Sequence, residues 1–227
     1  MPISKVTTGS ITDSVAIDTD TLVVDGTNNR VGIGTSSPSY KTEISDGTVT
    51  FGVNPLSAYS TVYAGTTTNH GMNFITNGNS RLIVDSSGRV TMPYQPSFSA
   101  YGSVYTSSTW GAIGGGNWSS VAHNIGSHFN SSNGRFTVPV AGRYIFTLSA
   151  RAADNATSLS LAVRLRVNGS GGSYQPEIWG GNSYQGSGNR SGVSNTVIVS
   201  LGVNDYVEMG AWISAVSGYR FAGHFLG

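Results

Sequence analysis

Few side chains in this sequence are suited to acid–base chemistry. The second half contains the carboxylates of Asp154, Glu177, Asp205 and Glu208, and hydrolysis of a glycosidic bond needs two such groups about 5–10 Å apart. Asp205 and Glu208 are three residues apart in a strand context, which directs their side chains to opposite faces. Asp205 also lies at a turn, where aspartate commonly accepts hydrogen bonds from the backbone. We therefore predict no catalytic residues and no enzymatic activity, and hydrolysis at an interface between subunits is the alternative.

Histidine, cysteine and glycine do not form the motifs that hold metals or phosphates. His70, His123, His128 and His224 lack the spacings of zinc-binding motifs. The chain has no cysteine for thiolate ligands, disulfides or nucleophilic catalysis. The glycine-rich residues 111–116 do not follow a strand and open a helix, as a phosphate-binding loop does. We expect no metal and no cofactor; a metal on a symmetry axis, with one ligand from each subunit, is the alternative.

Aromatic side chains on a polar loop favour binding rather than catalysis. Residues 169–192 are rich in glycine, serine and asparagine, and they carry the candidate receptor-binding residues Tyr174, Trp179, Tyr184 and Arg190. Such a loop combines stacking faces with adaptable hydrogen-bonding groups at little cost in conformational entropy, which suits a saccharide. The alternative is that Tyr174 and Trp179 are buried between sheets or subunits. A secondary candidate patch, for which burial in the core is the stronger alternative, comprises Tyr101, Tyr105, Trp110 and Trp118.

The composition predicts an all-β protein. Glycine accounts for 31 of 227 residues and charged residues for only 10%, compared with usual shares of ~7% and ~25%. Strong helix formers are scarce, whereas the residues typical of strands and turns are abundant.

The charge pattern excludes some partners. The formal net charge is +1, and the arginines of the second half are scattered along predicted strands. This argues against nucleic acid and anionic membranes and leaves a polyanion-binding patch only as an alternative. The N-terminus lacks the apolar segment of a signal peptide, and no apolar run is long enough to span a membrane. We expect synthesis in the cytoplasm and no membrane insertion.

The first part of the chain, residues 1–95, contains a repeated hairpin. Residues 22–34 and 82–92 each place an apolar strand before aspartate, then a turn with glycine or asparagine, then Arg-Val at the start of the return strand. Apolar faces this thin do not form a core within one chain, so we expect identical copies to associate about a common axis. Further short strands are predicted at residues 40–44, 49–53, 61–64 and 72–76.

The second part, residues 96–227, is a series of alternating strands. Pro93 and Pro96 mark the boundary, because proline interrupts sheet pairing. Within residues 136–150 a core face is predicted for Tyr144, Phe146, Leu148 and Ala150. Phe136, Val138 and Val140 are expected to form a separate short strand that turns at residues 141–142. Further strands are expected at residues 159–167, 197–201, 207–213 and 221–226, with a turn at residues 217–218 between the last two.

Four segments of the second part resemble a known family. Residues 133–146 (NGRFTVPVAGRYIF), 165–169 (LRVNG), 199–207 (VSLGVNDYV) and 221–226 (FAGHFL) resemble the signature of the complement C1q-like globular head. The resemblance implies a ten-stranded jelly-roll β-sandwich, shared with the tumour necrosis factor family. It also implies a compact homotrimer with both chain ends at its base.

The first part also resembles a known kind of protein. Residues 28–45 and 81–92 are similar to the hairpin repeats of bacteriophage tail fibres and related virion appendages. The two resemblances together imply a trimeric tail-fibre distal segment in the virion. Its stalk would be joined through the N-terminus to upstream tail, baseplate or fibre proteins, and its head would attach to a glycan or protein receptor on the host. A polysaccharide depolymerase and a fibre cap that binds no receptor are the alternatives.

Overall fold

The computed structural model describes residues 15–103, 105–115, 117–152, 161–169, 178–180 and 192–227. The chain divides into two compact units, Met1–Pro93 and Tyr94–Gly227, called here the first and the second unit. Within the described ranges, no helix is long and apolar enough to cross a membrane.

From Val15 onward, where the structure describes it, the first unit contains two sheets and one short 3-10 turn, Ser57–Tyr59. Its strands are β1 (Val15–Ile17), β2 (Leu22–Asp25), β3 (Arg30–Ile33), β4 (Thr42–Ser45), β5 (Thr50–Leu56), β6 (Thr61–Thr66), β7 (Met72–Thr76), β8 (Asn79–Val84) and β9 (Val90–Thr91). Strands β1 to β6 form one sheet in chain order, and β7 to β9 form the other.

Both predicted hairpins are present, and in each of them an aspartate carboxylate closes the turn by accepting hydrogen bonds. Strands β2 and β3 pair antiparallel, as do β8 and β9. The Asp25 carboxylate accepts hydrogen bonds from the backbone and side chain of Asn28, and the Asp85 carboxylate accepts from the backbone and Nε of Arg89. These bonds hold the pKa of each aspartate below its usual value, chiefly through the side chains of Asn28 and Arg89. The sequence repeat therefore corresponds to a structural repeat.

One face of the six-stranded sheet is covered by the loop of residues 34–41. Gly32, Glu43 and Gly52 are neighbours across β3, β4 and β5. A Cβ on Gly32 would lie 2.7 Å from a backbone oxygen of the loop, and one on Gly52 would lie 2.9 Å from the Tyr40 ring. The buried Glu43 carboxylate accepts a 2.8 Å hydrogen bond from the loop nitrogen of Ser39. Glycine at these two positions leaves the space that the loop fills.

The opposite face of this sheet is apolar and exposed. Ile33, Ile44 and Phe51 form a row across three strands, and Ile33 and Ile44 are 42% and 45% exposed. A neighbouring row contains Val24 and Val31. We call this surface the bare face.

In the part that the structure describes, the second unit contains ten strands. They are β10 (Ser97–Gly102), β11 (Tyr105–Ala112), β12 (Ser120–Ile125), β13 (Phe129–Asn130), β14 (Arg135–Thr137), β15 (Gly142–Ala152), β16 (Leu161–Val167), β17 (Ile178–Gly180), β18 (Gly192–Leu201) and β19 (Tyr206–Phe225). One layer has the order β12-β10-β19-β15-β18, and the other has the order β13-β14-β19-β16-β17 with β11 also paired to β19. The fold is the expected all-β jelly roll.

Strand β19 belongs to both layers, which corrects the prediction of two strands separated by a turn at residues 217–218. Its first half pairs with β14 and β16, and its second half pairs with β10 and β15. Hydrogen bonding continues through Gly218, which pairs with Arg151. Pairing with neighbouring strands therefore keeps this segment extended, although its Ser-Gly sequence is typical of a turn.

The core lies between the two layers and is rich in aromatic rings. The predicted inward face of β15 is confirmed, since its alternate residues from Tyr144 are buried. Phe98 stacks on Phe129 at 4.5 Å and on Phe136 at 5.1 Å between ring centroids. The predicted strand at residues 136–140 is shorter than expected: β14 ends at Thr137 and Val140 is exposed. Strand β14 therefore contributes Phe136 to the core and ends before the proline.

Candidate functional site

The two ends of the second unit differ, because only one of them holds the start of β10 and the end of β19. Ser97 pairs with His224 and Tyr144 pairs with Phe225, so the chain enters and leaves this unit at one end. At the opposite end Gly102 pairs with Tyr219. We call this second end the distal end.

A large groove lies at the distal end. It is open to solvent and has a volume of about 590 Å³. Register places Tyr101, Arg220, Ser149 and Ser194 in one row across β10, β19, β15 and β18. Neighbouring strands are about 4.8 Å apart, so the row spans roughly 14 Å. All four side chains lie on the face opposite to the core, because successive strand residues alternate between faces.

Two glycines open the floor of the groove. Arg151 pairs with Gly218 on one side and Gly192 on the other. Neither neighbour has a side chain, so the space beside Arg151 stays open. Beneath it, the buried Tyr219 hydroxyl donates a hydrogen bond to the carbonyl of Asn117, and burial raises the pKa of this hydroxyl to about 12. This hydroxyl is therefore a fixed neutral donor that supports the groove.

Positive charge dominates the groove. Arg151 Nε donates a 3.0 Å hydrogen bond to Ser217 Oγ, which itself donates to the carbonyl of Ala152 at 2.9 Å. Arg220 is exposed and forms no ion pair or side-chain hydrogen bond with any described residue. Arg151 and Arg220 are diagonal neighbours in the sheet, with Cα atoms about 7–8 Å apart, and the described residues that line the groove include no carboxylate.

The secondary aromatic patch predicted from sequence does not form one surface. Tyr101 is 46% exposed and lines the groove. Trp118 is buried in the core, where its indole nitrogen donates to the carbonyl of Ile113. Tyr105 packs partly against the core, and Trp110 lies in the other layer beneath the guanidinium of Arg164, 4.2 Å from the ring centroid. Only Tyr101 is therefore placed to contact a ligand in the groove.

The primary candidates lie mostly outside the described residues. This applies to Tyr174, Tyr184 and Arg190, while the backbone of Trp179 belongs to β17 and pairs with Ala162. These residues stay candidates.

Sequence reasoning missed the two arginines of the groove. Alternation assigns Arg151 to the outward face of its strand, but nothing in the sequence pairs it with the strand that carries Arg220. The sequence shows only that each of two strands carries an arginine on its polar face. This pattern does not reveal whether the two arginines lie close together.

The described acidic groups of the second unit already have partners. Glu208 is 2% exposed, and its carboxylate oxygens lie 3.1 Å from Arg135 Nε and 3.4 Å from Arg166 Nη1. The Asp205 carboxylate accepts hydrogen bonds from Asn168 Nδ2 and from the backbone of Gly202, and these bonds, chiefly that from Asn168, lower the pKa of Asp205. Asp154 and Glu177 lie outside the described residues. Within the described ranges no three histidine, aspartate or glutamate side chains converge as metal ligands would.

Comparisons with known proteins concern the second unit. The family model for the C1q domain matches residues 103–225. The globular domain of zebrafish complement 1qA protein is 18% identical with a TM-score of 0.42, over 58% of this chain and 98% of that one. The PRD1 vertex protein P5 is 11% identical with a TM-score of 0.46, over 60% and 100%. The tumour necrosis factor Eiger from S. frugiperda is 11% identical with a TM-score of 0.38, over 58% and 94%. Among curated proteins no match was found.

Proposed function

The chain belongs to the C1q domain family through residues 103–225, more than half of its 227 residues, and we propose that it is the distal segment of a homotrimeric virion tail fibre. In this proposal the segment attaches to a receptor on the host surface, above all to a glycan. In this proposal the first unit is the fibre stalk, which joins upstream tail, baseplate or fibre proteins, and the second unit is the receptor-binding domain. The proposal includes no catalysis, no nucleic acid and no membrane insertion.

The observation that carries the proposal is the open groove at the distal end. A receptor-binding domain must present its binding surface away from the point where its own chain arrives, and the groove is at the opposite end from Ser97 and Phe225. Its polar lining and the exposed ring of Tyr101 suit a saccharide, whose hydroxyls and apolar faces need hydrogen-bonding groups and an aromatic surface.

Self-association is supported by exposed apolar surface in the second unit. Ile145 pairs in register with Ile198 on the outward face of the layer that bears the groove, nearer the end where the chain enters. Ile198 is 62% exposed, and its neighbours Thr147, Thr196 and Ala222 are small. A flat apolar surface of this kind is typical of a subunit interface, and domains of this family are typically homotrimers.

The first unit supports a stalk by the same physical argument. Its bare face exposes Ile33, Ile44 and Val24, and its large buried apolar side chains, among the described residues, are few. Identical copies that pack their bare faces together would supply the core that one chain lacks. The repeated hairpins that resemble tail-fibre repeats are the reason for assigning the assembly to a virion.

Introducing charge at Ile198 should dissociate the trimer. We expect the wild-type chain to have about three times its chain mass of 23.6 kDa in static light scattering. Ile198→Asp buries an unpaired carboxylate in the proposed interface of the second unit, which is costly, so at low protein concentration the mass of the variant should fall below that of the wild type. The matched control is Val203→Asp, since Val203 is also exposed but lies in the turn between β18 and β19. A monomeric wild-type chain would contradict the trimer.

Attachment is tested with the full-length chain on glycan arrays and host cells. We expect binding to a restricted set of glycans and inhibition of virion adsorption by the free chain. Deleting residues 170–191, which carry the remaining aromatic candidates, should reduce this binding, whereas unchanged binding would exclude that segment. Release of reducing ends from host polysaccharide would identify a depolymerase instead. Silence on the array, together with fibres that fail to assemble when residues 96–227 are removed, would identify a fibre cap.

A further inference from the structure

We propose that the distal groove binds a saccharide that carries an oxyanion, with Arg151 and Arg220 as its two cationic contacts. This inference rests on the proposed attachment function and names the chemical class of the receptor. Its basis is a pair of arginines with no carboxylate among the described residues of the groove, together with serine hydroxyls that have no described partner and one exposed ring.

The two arginines differ from those of the other layer in how their charge is balanced. Arg135 and Arg166 share the buried carboxylate of Glu208. By contrast, Arg151 and Arg220 lie diagonally across one strand pair, and no acidic residue is found among the described residues that line the groove around them. Two like charges on neighbouring residues of one sheet face repel each other, and an anion between them offsets this repulsion. A bound anion would supply the negative charge that the described residues of the groove do not supply.

The contacts of Arg151 leave its ligand-binding atoms available. Its Nε is engaged by Ser217, which fixes the direction of the side chain, while its terminal nitrogens form no hydrogen bond with the described residues. Arg220 has its whole guanidinium free of described partners. Guanidinium groups form paired, charge-assisted hydrogen bonds to carboxylates, sulfates and phosphates.

The rest of the row fits a sugar better than a nucleic acid strand. Ser149 and Ser194 lie beside Arg220 in register, and their hydroxyls form no hydrogen bond with any described residue. They are available to sugar hydroxyls, and the exposed Tyr101 ring at the end of the row provides a stacking face. A nucleic acid strand would need cations that follow its backbone and several stacking rings, and the net charge of +1 provides no such field.

The test measures binding of the full-length chain to matched saccharides by calorimetry. Oligogalacturonate and its methyl-esterified form share one sugar chain, and only the first carries carboxylates; dextran sulfate and dextran form a second such pair, with sulfate as the anionic group. We expect each charged member that binds to lose at least ~10-fold in affinity in Arg151→Gln/Arg220→Gln, because each lost charge-assisted hydrogen bond is worth about one factor of ten or more. Preference between the two charged members identifies carboxylate or sulfate as the group recognised.

Three controls make the result specific. Arg143→Gln removes an exposed arginine at the other end of β15 and should leave affinity unchanged. Thermal melting and light scattering establish that the double variant keeps its fold and its mass. Inorganic phosphate and a single-stranded oligothymidine, added separately, should bind much more weakly than the charged saccharide.

The outcomes separate this inference from the attachment function. Equal binding of charged and esterified saccharides, unchanged affinity in the double variant, or stronger binding of oligothymidine would each overturn the oxyanion site. If the chain still binds host cells in these cases, the attachment function stands. A wild-type chain that binds no host cells and no glycan overturns both.

Discussion

Phe136→Ala should lower the free energy of unfolding of the second unit by ~3–5 kcal/mol, because it empties the centre of a close-packed aromatic core. Phe136 is fully buried, and its ring lies 5.1 Å from that of Phe98 and 5.9 Å from that of Phe146. It is the central residue of the three-residue strand β14, whose short ladder adds little stability of its own. The neighbouring rings are held by strands on all sides, so the cavity closes only in part.

Guanidinium titration followed by tryptophan fluorescence measures this effect. All tryptophans of the chain, Trp110, Trp118, Trp179 and Trp212, lie in the second unit, so the signal reports on that unit. Phe74→Ala is the matched control, because Phe74 is an exposed phenylalanine of the first unit; its effect on this transition should stay within about 0.5 kcal/mol. Protein concentration must be equal in all titrations, since association adds to apparent stability. A Phe136→Ala midpoint equal to that of the control would refute the assignment of this core.

Removing the charge of Glu208 should destabilise the second unit by ~3–5 kcal/mol, since it leaves the mostly buried guanidinium group of Arg166 without its counter-ion. The Glu208 side chain is 3% exposed and that of Arg166 is 17% exposed, so water compensates neither of them well. Glu208→Gln keeps the shape of the side chain and removes only the charge, which makes it the cleaner variant.

The chain contains its own control for this prediction. Arg89 and Asp85 form a shorter ion pair, 2.7 Å, but their side chains are 78% and 35% exposed, and exposed pairs contribute about 0–1 kcal/mol. Asp85→Asn should therefore cost the first unit, followed by circular dichroism, much less than Glu208→Gln costs the second unit, followed by tryptophan fluorescence. Combining Glu208→Leu with Arg166→Met should recover part of the lost stability, because it removes both members of the pair. Equal effects of Glu208→Gln and Asp85→Asn would show that burial does not govern these pairs.

Much of the fold follows from the sequence because it is encoded locally. The alternation in β15 identifies Tyr144, Phe146 and Leu148 as core residues, since a strand turns every second side chain to the same face. The Asp-turn-Arg-Val repeat identifies both hairpins, since their turns are closed by hydrogen bonds between residues three or four apart. The thin apolar faces of the first unit likewise indicate that one chain leaves a face uncovered.

Other features depended on contacts between distant segments. The two-layer β19 was missed because its Ser-Gly sequence favours a turn, and pairing with β10 and β15 overrides that local preference. The glycines that make room for the loop on the six-stranded sheet are ordinary turn residues in the sequence, and only the register aligns Gly32 with Gly52 across Glu43.

The sequence by itself determined the all-β class, the repeated hairpins, the family of the second unit and the core face of β15. Only the tertiary structure decided which outward-facing side chains are neighbours. Arg151 and Arg220 line the same groove, and Glu208 forms ion pairs with two arginines. The residues of the predicted aromatic patch are dispersed between the core, the groove and the other layer. The physical reason is that periodicity fixes the face of a residue within its own strand, whereas its neighbours depend on the register between strands. That register is set by the packing of the whole core.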